Sequence, residues 1–158
     1  MRSSWTGLGA LALAWLLLAS PASADTTGPV PEPTGKAPPT RWSAAEQDFN
    51  RGLVAQQEKQ WAKAAAAFRS AVKLNPRYAE AWNGLGFALR NQGKYPDSIK
   101  AYEEALRLRS DFPEALEYLG EAYVRVRRID DARRVLERLK PLDPKRAADL
   151  AEVIEKGK

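Results

Sequence analysis

Three glutamates, Glu114, Glu117 and Glu121, stand at i, i+3 and i+7, the spacing that puts them on one face of a helix. They are the densest set of side chains here that could work as a general acid and base or hold a cation. Acid–base work needs two carboxyls in environments of different polarity, and one shared helix face does not supply that difference. Three glutamates without further ligands make a weak cation site. The 158-residue chain has neither Cys nor His. A thiolate nucleophile, a disulfide, a His-based triad and a zinc site of the usual N/S kind are therefore excluded. The sequence is read as that of a non-enzymatic protein with no metal and no cofactor.

A second chemistry is recognition. Aromatic and amide side chains recur among basic ones: Phe49, Asn50, Leu53, Gln57, Asn83, Phe87, Arg90 and Asn91, then Tyr118 and Arg125. Aromatics can bury a ligand's apolar side chains, and each carboxamide both donates and accepts hydrogen bonds. A third is charge. Residues 125–146 hold nine basic side chains against four acidic ones, among them Arg127, Arg128, Arg133, Arg134 and Arg138, whereas the whole chain carries only +5. Such a segment suits an acidic partner or an anionic envelope surface. It equally suits a solvated helix face, because arginine stems cover apolar surface. Nucleic acid is excluded as a partner by the export signal below and by the lack of aromatics among these arginines.

The elements that position these residues repeat. Gly52, Gly86 and Gly120 are 34 residues apart, and the frame they set recurs in other columns. Ala64, Ser98 and Ala132 are small. Trp61, Tyr95 and Ile129 are large, as are Phe68, Tyr102 and Leu136, and Leu74, Leu108 and Leu142 repeat. Within a unit, Trp82, Leu85 and Leu89 and then Ile99, Tyr102 and Leu106 follow helical periodicity. Gly93-Lys94 separates the two runs, and Asn75-Pro76 closes the preceding unit. Pro96 and Pro113 are expected at helix starts, where a missing N–H costs nothing. Gly84-Leu85-Gly86 lies inside a helix and is not a phosphate loop.

A 34-residue helix–turn–helix period with Trp82, Leu85-Gly86, Leu89, Gly93, Tyr95, Ser98, Tyr102 and Ala105 resembles the tetratricopeptide repeat (TPR). Units 45–78 and 113–146 match around 79–112, although Asp48 and Arg51 stand where the family prefers large apolar residues. The resemblance implies an all-α superhelix, a solenoid of three helix–turn–helix repeats. A last helix over 145–157, with Ala147, Leu150, Ala151 and Ile154 on one face, is expected to cap it. Ser43-Ala44-Ala45-Glu46 is predicted to be a capping box, with Trp42 as a hydrophobic staple.

The resemblance also implies that the first helices of the units line a concave peptide-binding groove. Projection of the frame puts Phe49, Asn50, Leu53, Gln57, Asn83, Phe87, Arg90, Asn91, Glu117, Tyr118, Glu121 and Arg125 on it. Phe49 is open between groove and packing. Family members that hold a C-terminal carboxylate use Lys, Asn and Arg at places that here carry Phe49, Leu53, Gly84, Glu114 and Tyr118, so that clamp is absent.

The N-terminal part reads differently. Arg2, the apolar run 8–19 and Ala22-Ser23-Ala24 predict a signal peptide over 1–24, cleaved before Asp25. Twelve apolar residues span only about 18 Å as a helix, short of a bilayer core of about 30 Å. Residues 25–41, with five prolines and four threonines, are expected to be a disordered linker ahead of a domain over 42–158. The expected product is a bacterial periplasmic or secreted scaffold that binds a protein or peptide partner. The alternative is an architectural protein that self-associates as a homo-oligomer or contacts the anionic envelope through the basic surface of the third repeat.

Overall fold

The computed structural model describes residues 40–157, which belong to one compact unit. The expectations for the signal peptide and nearly all of the linker lie outside the described residues. Seven helices follow in chain order: α1 (Arg41–Gln57), α2 (Trp61–Leu74), α3 (Ala79–Asn91), α4 (Tyr95–Leu108), α5 (Pro113–Arg125), α6 (Ile129–Leu139) and α7 (Pro144–Lys156). No strand occurs among the described residues. Consecutive helices pack on one another, α1 also touches α3, α3 touches α5, and α7 closes on both α5 and α6. This is the all-α solenoid that the 34-residue period predicts.

The repeat works because missing side chains on one helix make room for rings on the next. A Cβ on Gly52 would lie 2.5 Å from the Phe68 ring, and one on Gly84 2.8 Å from the same ring. Phe68 is therefore wedged between α1 and α3 with no exposed surface. Tyr102 fills the equivalent place beside Gly86, and Ser98 Oγ donates a 2.8 Å hydrogen bond to Gly86 O at the same crossing. In the third repeat the frame offers Leu136, but the space beside Gly120 is taken by Leu150 of α7. The capping helix thus inserts into the position that a further aromatic would occupy.

The turn between the two helices of each unit repeats a backbone conformation. Lys59, Gly93 and Arg127 have φ of 57°, 74° and 63° at the same 34-residue interval. Only the middle turn uses glycine, so the outer two hold a side chain in the left-handed region.

Three details differ from expectation. Arg41, assigned to the linker, is the first residue of α1, and the helix is capped by Thr40, whose side chain accepts from Ser43 N at 3.2 Å. Ser43 is thus inside the helix and not its cap. Trp42 is 60% exposed and staples nothing. Asp48 is buried in place of an apolar residue because Ser70 Oγ and Arg51 Nη2 both donate to its carboxylate, which satisfies the charge on site. Pro96, Pro113 and Pro144 all sit in first turns, and Ala147, Leu150 and Ile154 of α7 are buried as the cap requires.

Candidate functional site

The first helices of the three units, α1, α3 and α5, lie side by side and form a concave face. Two hollows mark it. The first, of about 280 Å³, is lined by Phe49, Leu53, Gln56, Glu80, Asn83, Gly84, Phe87, Phe112, Glu114 and Tyr118. All five positions at which the carboxylate clamp would sit are in this lining. The second, of about 460 Å³, is lined by Arg90, Asn91, Gly93, Tyr95, Glu121, Arg125 and Val153. The predicted groove set therefore divides, with Phe49, Leu53, Asn83, Phe87 and Tyr118 at one end and Arg90, Asn91, Glu121 and Arg125 at the other. Asn50 and Gln57 are exposed on α1 outside both linings.

The aromatic floor is continuous. Phe49 packs tilted on Phe68 and Tyr78, with centroids 5.6 and 4.8 Å away, so it serves both packing and groove. Phe87 stands edge-on to Trp61 at 5.9 Å and packs tilted on Tyr118 at 5.2 Å. Both Phe87 and Tyr118 keep part of their surface open. Arg90 lies over both rings and pairs with Glu121 on α5. Its guanidinium is thereby placed between the two hollows and already neutralised. Asn91 Nδ2 donates to Phe87 O at 2.9 Å, which leaves its carbonyl oxygen as the group to offer. Asn83 Oδ1 is buried without a hydrogen-bond partner.

The three glutamates first singled out do not act as a set. Glu117 is 9% exposed and turns out of the groove to Arg146 Nη1 of α7, and Glu114 takes the same guanidinium at 3.2 Å. That pairing raises the Arg146 pKa, the hydrogen bond that its guanidinium donates to Glu117 being the main cause. Glu121 belongs to Arg90. Glu114 and Glu117 share Arg146 while Glu121 pairs with Arg90, and no group of three or more Asp or Glu able to hold a metal occurs among the described residues.

The arginines of the third repeat are likewise met from within. Arg128 and Arg134 share Asp131, and Arg133 takes Asp130 at 3.1 Å. The Asp131 pKa is lowered, chiefly by the hydrogen bond from Arg128. Arg127 donates to Gly157 O at 2.9 Å and Arg138 to Ser110 O at 3.2 Å. Arg128 also covers the ring of Tyr123, whose hydroxyl donates to Glu103 at 2.8 Å. Burial first, and that hydrogen bond second, push the Tyr123 pKa up to about 12. The five arginines are thus distributed over four local acceptors, Asp131, Asp130, Gly157 O and Ser110 O.

Several site residues were not foreseen: Gln56, Glu80 and Phe112 in the first hollow, and Tyr95 and Val153 in the second. For Glu80 a signal was present. Glu46, Glu80 and Glu114 are 34 residues apart, one per first helix, in the same frame as the glycines.

With this geometry in view, comparison with known proteins is decisive for the fold. The profile of the family described as "TPR repeat" matches residues 52–93 and 88–126. The chain belongs to the tetratricopeptide repeat family.

Among curated relatives, the Drosophila melanogaster protein O-mannosyl-transferase Tmtc3 is 28% identical over 89 residues, 56% of this chain and 10% of that protein. The chloroplastic TPR domain-containing protein PYG7 of Arabidopsis thaliana is 35% identical over 71 residues, 42% of this chain and 24% of that protein. The chain therefore spans less than a quarter of the length of these relatives. Among solved structures, the Arabidopsis OM64 TPR domain superposes with a TM-score of 0.71 at 21% identity, covering 75% of this chain and all of that domain. The first TPR of Spaghetti (RPAP3) bound to the HSP90 peptide SRMEEVD gives 0.69 at 15% identity, covering 73% of this chain and 93% of that one. These likenesses concern the TPR fold.

Proposed function

We propose that this chain is a non-catalytic interaction module whose concave face holds a segment of another protein. The observation that carries the reading is the aromatic floor formed by Phe49, Phe87 and Tyr118, open at the surface of a fold whose solved relatives include peptide complexes. A partly exposed aromatic pair in a hollow bordered by polar groups is the usual anchor of a protein–protein contact. The peptide in the RPAP3 complex ends in Glu-Glu-Val-Asp. The corresponding hollow here has no basic side chain in its lining and includes Glu80 and Glu114, so an acidic tail is not its ligand.

The setting we propose is the bacterial cell envelope, with the domain exported behind a signal peptide and tethered by a proline-rich linker. That part rests on the sequence of residues 1–41. Among the described residues no helix is long and apolar enough to cross a membrane. The basic third repeat is a weaker candidate for the main contact, because Arg128, Arg133 and Arg134 already have acidic partners.

The experiment is a pull-down with the exported protein and its Phe87→Ala/Tyr118→Ala variant, with helicity followed by circular dichroism. Loss of the specific partners at unchanged helicity supports the groove. Retention of the same partners rules it out.

A further inference from the structure

The concave face is charged unequally along its length, and the inequality follows the repeat. Glu46, Glu80 and Glu114 fall one per unit, and Glu80 and Glu114 line the hollow that contains Phe49, Phe87 and Tyr118. Glu46 lies one turn before Phe49 and Asn50 on α1, close enough to act with Glu80 on Tyr78, whose pKa is raised first by burial and then by those two carboxylates. At the opposite end the hollow is lined by Arg125 and by the Arg90–Glu121 pair.

A simple alternative is that these glutamates only complement helix dipoles. It accounts for Glu80 and Glu114, which are in the first turns of α3 and α5. Glu46 is different. It is the sixth residue of α1, outside its first turn, and it is exposed with no hydrogen bond or ion pair among the described residues. The paired members also keep capacity. Arg109 takes Glu80 at 2.7 Å and Arg146 takes Glu114 at 3.2 Å, in each case through Oε1. Both carboxylates are part-exposed, with the second oxygen left to accept.

We infer that the groove selects a partner segment in which a lysine or arginine stands beside an apolar anchor, the cation set against Glu46 and Glu80, which both act on Tyr78, and the anchor on the Phe87–Tyr118 floor. This presupposes that the concave face binds a segment at all. Glu46 is without a cation, and Glu80 and Glu114 each keep one oxygen beyond the arginine that holds the other, so this end favours a cation over an acidic side chain between ligands of equal hydrophobicity. An ammonium or guanidinium over the Phe49 face would gain a cation–π contact as well.

The test is selection from a phage-displayed library of random peptides on three forms of the domain: wild type, Glu46→Lys and Phe87→Ala/Tyr118→Ala. Glu46 is exposed and unpaired, so its reversal leaves the fold intact. Wild type is expected to enrich peptides with Lys or Arg adjacent to an aromatic or large aliphatic residue. A representative selected peptide should lose on the order of five- to tenfold in affinity on Glu46→Lys, and its binding should weaken with added salt. If selected peptides depend on Phe87 and Tyr118 but show no basic bias, or an acidic one, the charge inference is overturned and the groove stands. If nothing is selected, or selection ignores Phe87→Ala/Tyr118→Ala, the groove itself is overturned, and the inference with it.

Discussion

Arg90 reaches from α3 to Glu121 on α5, with its guanidinium carbon 4.7 Å from the centroid of Tyr118 and 5.3 Å from that of Phe87. One side chain thus joins two repeats, borders the aromatic floor and separates the two hollows of the concave face. Arg90→Ala should expose more of both rings and merge the hollows. The stability cost is about 1 kcal/mol, since a partly exposed cation–π contact and its ion pair are lost together. Urea denaturation checks the cost, and added exposure of Tyr118 can be followed by its fluorescence.

The Gly86–Tyr102 contact sets the spacing of α3 and α4. A Cβ at Gly86 would lie 2.7 Å from the ring, which has no room to retreat because Tyr102 is fully buried. Gly86→Ala should therefore destabilise the domain by about 1–3 kcal/mol despite the better helix propensity of alanine. The midpoint of a urea or thermal transition reports it.

Arg146 anchors the cap. It is the partner of buried Glu117 and also binds Glu114 and Asp143. Arg146→Ala leaves the Glu117 carboxylate buried without its cation, at a cost of about 2 kcal/mol. Hydrogen exchange should then show α7 opening before the rest of the array.

Tyr123 gives a pH dependence with a definite sign. Its folded pKa is about 12 against an ordinary value of about 10, so the folded form holds the phenolic proton more tightly. That stabilisation is complete below pH ~10 and is lost as pH rises through ~12. Tyr123→Phe should flatten the alkaline fall in stability relative to wild type, measured by chemical denaturation from pH 9 upward.

The repeat was legible because each column has one steric task. Gly52 and Gly86 had to be small for Phe68 and Tyr102 to be large, and the 34-residue recurrence exposed both at once. The helix starts at Pro96 and Pro113 followed from the missing N–H. The groove was legible as a face but not as a set of free groups. Glu117 was projected onto it, yet Arg146, 29 residues further on, draws its carboxylate away. A frame based on period cannot show such a contact, since the positions one and two periods before Arg146 are Phe112 and Tyr78. The same holds for Gly120, whose neighbour is Leu150 of the cap and not Leu136. Asp48 looked like a departure from the family pattern, and only the Ser70 hydroxyl across the α1–α2 contact explains its burial. At the N-terminus, Ser43 and Glu46 had the capping-box spacing, but Thr40 took the cap one turn earlier.

The central claim is that partners are held on the concave face. Site-specific photo-cross-linking in the cell tests it most directly, with Asn83→p-benzoylphenylalanine inside the first hollow, Ala66→p-benzoylphenylalanine on the exposed side of α2 and Arg133→p-benzoylphenylalanine on the basic face. The account predicts a discrete cross-linked protein from position 83, absent from position 66 and lost on Tyr118→Ala. A cross-link from position 133 with none from position 83 would contradict it.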